Sequence, residues 1–333
     1  MDAFVQSLKT LRFEASLDEN EQLRATNLRK RVHASTTAIC ALGTVFCATL
    51  SEIRQWIHER NHGGHDHKGI TVGVIGCGRV GQQIIKCLLN YGRCSPSDIL
   101  VSTRRPDTLK RLSDLGVDVG FNNARVARSV HLLFIACLPS QLPDVSKSIA
   151  GCINFSTLVF SVVGGMPVTK ISQLLNFKNI VKPELELLPL DGLSDYPSDT
   201  SIDVIDFLRD PDLCSLVYSK SGSSMLIQRD SDWQVGLLLS CLNICTLCQL
   251  TAQESFKCLN AVIFPSLSTP LHISINDLRM PRTPGDEKRQ LPFWTLLTAT
   301  AKQPKLKAKL RTAEVCEGFS KKFLSMFKWS KML

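Results

Sequence analysis

Three glycines separated by one and then two residues follow a run of strand-forming residues in the stretch GITVGVIGCGRVGQQIIKCLL, at 69–89. In a dinucleotide-binding turn, Gly76 would permit the tight turn, Gly78 would let a pyrophosphate approach the backbone, and Gly81 would let helix and strand pack closely. The helix that begins near Arg79 would offer free N–H groups and its positive dipole end to the phosphates. The alternative is a purely structural strand-to-helix corner. Because the motif also begins an α/β array, we predict a nucleotide-binding turn made by Gly76, Cys77, Gly78, Arg79, Val80 and Gly81.

The second predicted strand ends in VSTRRPDTLKRL, at 101–112. An enzyme that prefers NAD usually places Asp or Glu at the end of this strand, where it accepts from the ribose 2′-hydroxyl. This chain has Ser102, Thr103, Arg104 and Arg105 there, and their hydroxyl and guanidinium groups can bind and neutralise a 2′-phosphate. The alternative is a solvated basic turn. We predict NADP(H) as the cofactor, held here by Thr103, Arg104 and Arg105.

Short apolar strands alternate with helical segments between residues 69 and 182. The predicted strands are 70–75, 99–103, 117–121, 131–137, 156–162 and 179–181, and the predicted helices are 79–90, 106–115, 122–129, 140–150 and 168–176. Nearly continuous apolar strands are typical of a parallel sheet covered on both faces. The sequence therefore predicts an α/β fold. It would be a Rossmann-type, doubly wound, mostly parallel sheet with an N-terminal helical extension and a mainly helical C-terminal region.

Changes in composition divide the chain into four predicted parts. Apolar periodicity from 18 to 60, with Asp18 able to cap its start, indicates one or two helices before the hinge NHGGHDHKG. The stretch 233–264 is strongly apolar and helical throughout. The predicted parts are a helical extension (1–68), an NADP-binding Rossmann domain (69–182), an acidic linking segment (183–232) and a helical region with a basic tail (233–333).

The net charge of +9 belongs mainly to the tail, because residues 301–333 hold nine Lys or Arg against two acids. This placement argues against a nucleic-acid groove, and we predict no nucleic-acid partner. Thirteen cysteines are an odd number, several lie in apolar runs, and the chain opens without a secretory pattern. We therefore expect an intracellular, cytoplasmic protein. The uncharged run at 34–51 is barely long enough and too polar for a membrane span, so a buried or partner-packed helix is favoured.

Over residues 69–182 the chain resembles the pyrroline-5-carboxylate reductase family. Thr103-Arg104-Arg105-Pro106 stands where the family has an Asn-Arg-Ser/Thr-Pro-like turn, and Asn122-Asn123 stands where it has a His-Asn or Asn-Asn pair. Ala136-Cys137-Leu138-Pro139 matches its Ala-Val-Lys-Pro element, with Leu138 in place of Lys, and 161–166 matches its Ser-x-x-Ala-Gly-Val segment. The resemblance implies that the nucleotide and nicotinamide are lined by Asn123, Ala136, Cys137, Leu138, Pro139, Val162, Val163 and Gly164.

The C-terminal half departs from that family. Its Gly-Ser-Gly-Pro-Ala-Tyr-like helix start, which holds the substrate carboxylate, is replaced by LSCLNICTLCQL at 239–250, and no catalytic acid can be identified. Hydride transfer mostly requires the nicotinamide to be positioned against its acceptor. We therefore expect an oxidoreductase that transfers hydride to or from a small imine or carbonyl compound. The alternative is a catalytically inactive NADP(H)-binding sensor or scaffold.

Two further clusters of residues are better explained by packing or solvation than by chemistry. Cys241, Cys245 and Cys248 have a spacing used by some iron–sulfur enzymes, but they lie in an apolar helical stretch. Four histidines in and just before the hinge lack a cysteine partner: His58, His62, His65 and His67. We therefore predict no metal site.

The last residues of the chain place Phe319, Phe323 and Phe327 at four-residue spacing among lysines. Such a basic amphipathic helix can lie on an anionic membrane or pack on the protein itself. We favour packing over membrane contact. The apolar helix at 233–264 permits a homodimer without requiring one.

Overall fold

The computed structural model describes residues 17–62, 69–185, 196–197, 200, 202–210, 212–213, 232–264, 273–280, 285, 288–312, 315, 322 and 325–327. Four predictions or parts of them fall on other residues. These are the hinge histidines His65 and His67, the tail residues Phe319 and Phe323, most of the acidic linking segment, and the start of the helical extension.

The first helix, α1 (Glu19–His62), is a single element of 44 residues. Asp18 caps it as predicted: its carboxylate accepts from the Glu21 N–H at 2.8 Å, and the Glu21 carboxylate accepts from the Asp18 N–H at 3.1 Å. By length and composition α1 could cross a membrane, but 83% of its most apolar window is buried inside the protein. The ring of Phe46 lies 5.3 Å from that of Phe160 in the sheet. Packing in the core therefore accounts for its apolar stretch.

Six parallel strands form one sheet in the order β3-β2-β1-β4-β5-β6. This order is that of the dinucleotide-binding fold, in which the crevice opens between β1 and β4. Each strand lies within a predicted one, so the predicted fold class is confirmed. The strands are β1 (Val72–Ile75), β2 (Ile99–Ser102), β3 (Asp118–Gly120), β4 (Leu132–Ile135), β5 (Leu158–Ser161) and β6 (Ile180–Val181).

Helices cover both faces of this sheet. Alternate residues of β4 point in opposite directions: Leu133 and Ile135 join one core cluster, and Leu132 and Phe134 join the other. The first cluster includes residues of the helical segments 123–129, 142–149 and 168–175, and the second includes residues of α1 and of the helical segments 79–91, 232–247 and 252–263. The helices after α1 are α2 (Arg79–Tyr91), α3 (Lys110–Asp114), α4 (Asn123–Ser129), α5 (Leu142–Ile149), α6 (Val168–Leu175), α7 (Val204–Arg209), α8 (Asp232–Leu247), α9 (Ala252–Ile263), α10 (Leu296–Ala299) and α11 (Pro304–Leu310).

The apolar stretch predicted as one helix over 233–264 is two helices, α8 and α9. The chain turns at Gln249, whose φ is +61°. Thr251 then caps α9, because its hydroxyl accepts from the Glu254 N–H at 3.3 Å and the Glu254 carboxylate accepts from the Thr251 N–H at 3.0 Å. This Thr-x-x-Glu pattern is a helix-start signal readable in the sequence, and apolar periodicity alone concealed it.

Helix α8 is buried within its own chain. It packs against α1 and α9, and its residues from Trp233 to Asn243 are buried. Asn243 is held by Trp294, donating to its carbonyl at 2.9 Å and accepting from its N–H at 2.8 Å. The buried residues of α8 are not available to a second chain, so a homodimer in this region would have to use other residues. The dimer stays a prediction.

The described part of the basic tail packs against the rest of the chain. The ring of Phe327 is 3% exposed and lies edge-on to Tyr91, with ring centres 5.0 Å apart. Lys322 forms an ion pair with Glu52 of α1, and Glu52 also pairs with Arg93 at 3.1 Å. These contacts fit the packing interpretation, while the absence of membrane contact stays a prediction.

His131 gives the fold a pH dependence that can be measured. Partial burial and the positive charge of Arg54 lower its pKa to about 4, and its Nδ1 accepts from the Thr71 N–H at 3.0 Å. The unfolded chain therefore binds this proton near pH 6.5 and the folded chain only near pH 4. Stability from His131 is full above pH 6.5 and is lost as the pH falls toward 4. After allowance for solvent screening, the free energy of unfolding should fall by about 1–2 kcal/mol less in His131→Asn than in the unmodified protein as the pH drops from 6.5 to 4. Urea unfolding across this range measures the difference. Equal pH slopes for the two proteins would contradict this assignment.

Candidate dinucleotide-binding site

The three glycines after β1 have the separate geometries that a nucleotide-binding turn needs. Gly76 has φ +92°, and a Cβ there would lie 2.8 Å from the carbonyl carbon of Ala136. A Cβ on Gly81 would lie 2.4 Å from the Gly76 oxygen, so only glycine allows this approach of helix to strand. A Cβ on Gly78 would meet nothing within 4 Å. Two of the glycines thus serve packing, and Gly78 leaves open space beside the backbone.

The start of α2 presents unpaired backbone donors beside that open space. Gly78 is the N-cap and offers no side-chain cap, and the first intrahelical bond runs from the Gln82 N–H to the Gly78 carbonyl at 3.0 Å. The N–H groups of Arg79, Val80 and Gly81 therefore have no partner within the helix. Burial raises the pKa of the Cys77 thiol to about 12, so this side chain is neutral. The turn suits an anionic pyrophosphate bound by backbone groups.

The turn after β2 exposes the two predicted arginines. Both side chains are exposed, and neither guanidinium has an ion pair or hydrogen bond to any residue in the described part of the chain. Thr103 is half-buried; its N–H donates to the Gly120 carbonyl at 3.0 Å, and its hydroxyl accepts from the Arg105 N–H at 3.5 Å. Two unpaired cations thus flank a fixed backbone turn at the carboxyl end of β2.

Ser102 is not available for the predicted contact with a 2′-phosphate. The sequence predicts its hydroxyl among the groups that could bind a 2′-phosphate, but Ser102 is 1% exposed and its hydroxyl donates to the Asn123 Oδ1 at 2.6 Å. The reason is its place inside the parallel ladder, since Ser102 is the last residue of β2 and pairs with Gly120 and Ile75.

Asn123 is committed to contacts within the protein. In addition to accepting from Ser102, it donates to the Ser148 hydroxyl at 2.9 Å, which itself donates to the Val145 carbonyl at 2.6 Å. This side-chain network joins β2, α4 and α5 close to the carboxyl edge of the sheet. Asn123 therefore positions these elements, and a direct contact between it and the nucleotide stays a prediction.

The ends of β4 and β5 carry the other residues predicted from the family resemblance. The Ala136 N–H donates to the Ile75 carbonyl at 2.8 Å, and the Val162 N–H donates to the Ile135 carbonyl at 3.0 Å, which brings both strand ends beside the glycine turn. Burial raises the pKa of the Cys137 thiol. Leu138 is 62% exposed, and Pro139 opens the short helix Pro139–Gln141.

The segment after β5 leaves open space at the same edge. Val163 is buried, and a Cβ on Gly164 or on Gly165 would meet nothing within 4 Å. The ends of β1, β2, β4 and β5 together place the predicted cofactor residues other than Asn123 along one edge of the sheet. That edge is where open α/β sheets bind ligands.

Two residues at this edge were missed by the sequence analysis. Phe121, directly after β3, is 70% exposed. Lys182 directly follows β6; its side chain is 12% exposed, and its ammonium binds the Glu184 carboxylate at 2.9 Å. The rule that ligands meet the carboxyl ends of parallel strands could have found both.

The described members of the cysteine and histidine clusters show no metal-binding geometry. No group of three or more His, Cys, Asp or Glu that could hold a metal occurs among the described residues. Cys241 and Cys245 are buried in α8, and Cys248 lies exposed just beyond its end. His58 lies on α1, where it is half-buried. The absence of a metal site stays a prediction.

Comparison with known proteins shows which proteins this chain is similar to. The family model described as NADP oxidoreductase coenzyme F420-dependent matches residues 71–163. The mouse protein NADP-dependent oxidoreductase domain-containing protein 1 is 30% identical over 78% of this chain and 73% of its own length. The Escherichia coli pyrroline-5-carboxylate reductase is 30% identical over 31% of this chain and 39% of its own length.

A solved structure described as Plasmodium falciparum pyrroline carboxylate reductase with NADP bound also aligns with this chain. It is 14% identical, has a TM-score of 0.32 and is covered over 99% of its length. The chain spans less than half the length of the curated pyrroline-5-carboxylate reductases that it matches.

Proposed function

This chain belongs to the pyrroline-5-carboxylate reductase family, together with the mouse protein described above, and on that premise we propose that it binds NADP(H) and transfers hydride to or from a small imine or carbonyl compound. The observation that supports the choice of NADP(H) is the pair of unpaired guanidinium groups after β2, where no carboxylate takes their place. An extra phosphate on the adenosine would be neutralised there.

The described residues fit the parts of this cofactor in order along the sheet edge. The unpaired N–H groups at the start of α2 would hold the pyrophosphate over Gly78, and Thr103, Arg104 and Arg105 would hold the 2′-phosphate. Leu138, Val162 and Gly164 would lie against the nicotinamide half and exclude water from it. The bound nicotinamide supplies the hydride. The chain itself supplies position and a dry apolar wall.

A carbonyl acceptor also needs a proton, and Lys182 is our candidate for the group that provides it. Lys182 and Glu184 are the ionisable side chains that the described residues place directly after β5 and β6. Near-complete burial of the Lys182 stem fixes the ammonium close to the strand end. An imine that is already protonated would need this proton less.

We expect Lys182→Met to lower kcat for carbonyl reduction by about tenfold, with the dissociation constant of NADPH unchanged within about twofold. Single-turnover assays and NADPH titration would separate the two effects. The matched control is Lys178→Met, since Lys178 is exposed near the opposite end of the same strand. Equal losses in both variants would contradict a role in proton transfer.

The proposal as a whole is tested by binding and then by turnover. Fluorescence titration of the purified chain with NADPH and NADH should show tighter binding of NADPH, and equal or absent affinity would overturn the choice of cofactor. NADPH oxidation would then be followed with cyclic imines and small ketones. Binding without turnover on any of them would overturn the hydride-transfer part of the proposal.

We further propose that the protein is cytoplasmic and forms homodimers. The free thiols of the described cysteines, most of them buried, suit a reducing compartment. Light scattering coupled to gel filtration would measure the mass in solution, for which the chain mass is 36.9 kDa. A mass of one chain at micromolar concentration would overturn the dimer.

A further inference from the structure

A second cleft lies at the opposite edge of the sheet, among the amino ends of its strands. It encloses about 580 Å³ of space, counting solvent at its mouth. Its floor is formed by residues at the starts of β1, β4, β5 and β6, and its walls by α1 and by α8 with the turn that follows. The apolar lining consists of Leu50, Ile70, Leu158, Ile244 and Leu247.

The cleft contains a cation that the protein does not neutralise. Arg54 of α1 lines it and is half-buried, and burial lowers the pKa of its guanidinium. No hydrogen bond or ion pair joins Arg54 to any of the described residues, although four other arginines or lysines on or near α1 or α2 have carboxylate partners. A partly desolvated, unpaired guanidinium is costly, and an anionic ligand would offset that cost.

Two further polar groups of the cleft are fixed in their hydrogen-bonding roles. Asn179 is 7% exposed and donates to the Thr157 carbonyl at 2.9 Å, while its Oδ1 is a buried acceptor with no donor among the described residues. His131 accepts at Nδ1 from the Thr71 N–H, so its neutral ring carries its proton on Nε2. The cleft thus combines a cation, an unsatisfied acceptor and a ring donor on an apolar lining.

From this arrangement we propose that the cleft binds a small carboxylic acid with an apolar body, whose carboxylate pairs with Arg54 and whose adjacent hydroxyl or ammonium donates to Asn179. Concave sites with mostly apolar walls and a few polar groups are typical of small-molecule binding. This site is separate from the cofactor edge, so the proposal does not depend on NADP(H) binding. The lining by α1 and α8 places it between the sheet and the two helical regions that flank it in the sequence.

Three matched compounds test the recognition chemistry by calorimetry on the full chain. They are L-phenylalanine, 3-phenylpropanoate, which lacks the ammonium, and 3-phenylpropan-1-ol, which lacks the charge. We expect L-phenylalanine to bind, 3-phenylpropanoate to bind more weakly, and the alcohol to bind at least about tenfold more weakly than either. Saturating NADPH should leave these affinities unchanged. No binding of any compound at about 10 mM, equal binding of the alcohol, or competition with NADPH would overturn the proposal.

A thiol in the cleft reports where the compounds bind. Cys248 lines the cleft and is exposed, and Cys152 is a partly exposed thiol elsewhere in the chain. L-Phenylalanine should slow alkylation of Cys248 by iodoacetamide at least about threefold and leave Cys152 unchanged, as measured by peptide mass spectrometry. Protection of Cys152 instead of Cys248 would place the ligand elsewhere.

Substitutions of the cation complete the test. Arg54→Met should weaken L-phenylalanine at least about tenfold, whereas Arg54→Lys should retain most of the affinity because it keeps the charge. Arg24→Met is the control, since Arg24 is exposed near the start of the same helix, and it should bind as the unmodified chain does. Thermal melts would verify that each variant is folded. Unchanged binding by folded Arg54→Met would overturn the assignment of the anion to this cleft.

Discussion

Replacing Arg104 and Arg105 together with Asp is expected to weaken NADPH binding at least about a hundredfold and to change NADH binding by less than about threefold. Each guanidinium would make a charge-assisted contact with the 2′-phosphate worth about 1.5–3 kcal/mol, and 3 kcal/mol corresponds to about a hundredfold in affinity. NADH lacks this phosphate and loses neither contact. The selectivity, measured as the ratio of the two dissociation constants, should therefore fall with the affinity for NADPH.

The structure makes the double substitution a clean experiment. Both side chains are exposed, and neither guanidinium forms a hydrogen bond or an ion pair with the described residues. Lys110→Asp with Arg111→Asp is the matched control, because it changes the charge equally on exposed residues of α3, immediately beyond the short helix Pro106–Leu109. We expect the control to weaken NADPH by less than about threefold through screened, longer-range charge. Equal losses in the two double variants would show that the general field, rather than bound guanidinium groups, attracts the nucleotide.

The main features of the cofactor edge could be predicted from the sequence because local chemistry determines them. Gly76 must adopt positive φ, and Gly81 must lie against the backbone of the preceding turn. The spacing of glycines after an apolar strand therefore predicts this turn without knowledge of the rest of the fold. Apolar runs likewise gave each strand of the sheet. The order of those strands then follows from right-handed crossovers, which leave few arrangements for such a pattern.

Features that depend on distant parts of the chain were beyond sequence reasoning. The burial of Ser102 and its bond to Asn123 follow from the pairing of β2 with its neighbours, and nothing in the turn VSTRRP distinguishes its hydroxyl from that of Thr103. The cleft around Arg54 joins residues from α1, four strand starts and α8, which are far apart in sequence. The break between α8 and α9, by contrast, had an unused local signal in the Thr-x-x-Glu pattern at Thr251.

The glycine turn yields the second large expected effect, a separation of stability from binding between two neighbouring glycines. Gly81→Ala should lower the free energy of unfolding by about 3 kcal/mol or more, because its Cβ would lie 2.4 Å from the Gly76 carbonyl oxygen and the backbone must shift. Gly78→Ala should lower it by no more than about 1 kcal/mol, since its Cβ meets open space and its φ of −79° suits any residue. Urea unfolding of both variants measures this difference.

Binding should respond in the opposite order. The methyl group of Gly78→Ala would occupy the space that the pyrophosphate needs beside the α2 N–H groups, so NADPH and NADH should both weaken by more than about tenfold. This loss of both nucleotides distinguishes it from the arginine double variant, which discriminates between them. Gly81→Ala, assayed at a temperature where it remains folded, should lose less affinity than Gly78→Ala does. Normal binding by Gly78→Ala would show that the pyrophosphate does not lie over this turn, and the site would then have to be sought elsewhere along the sheet edge.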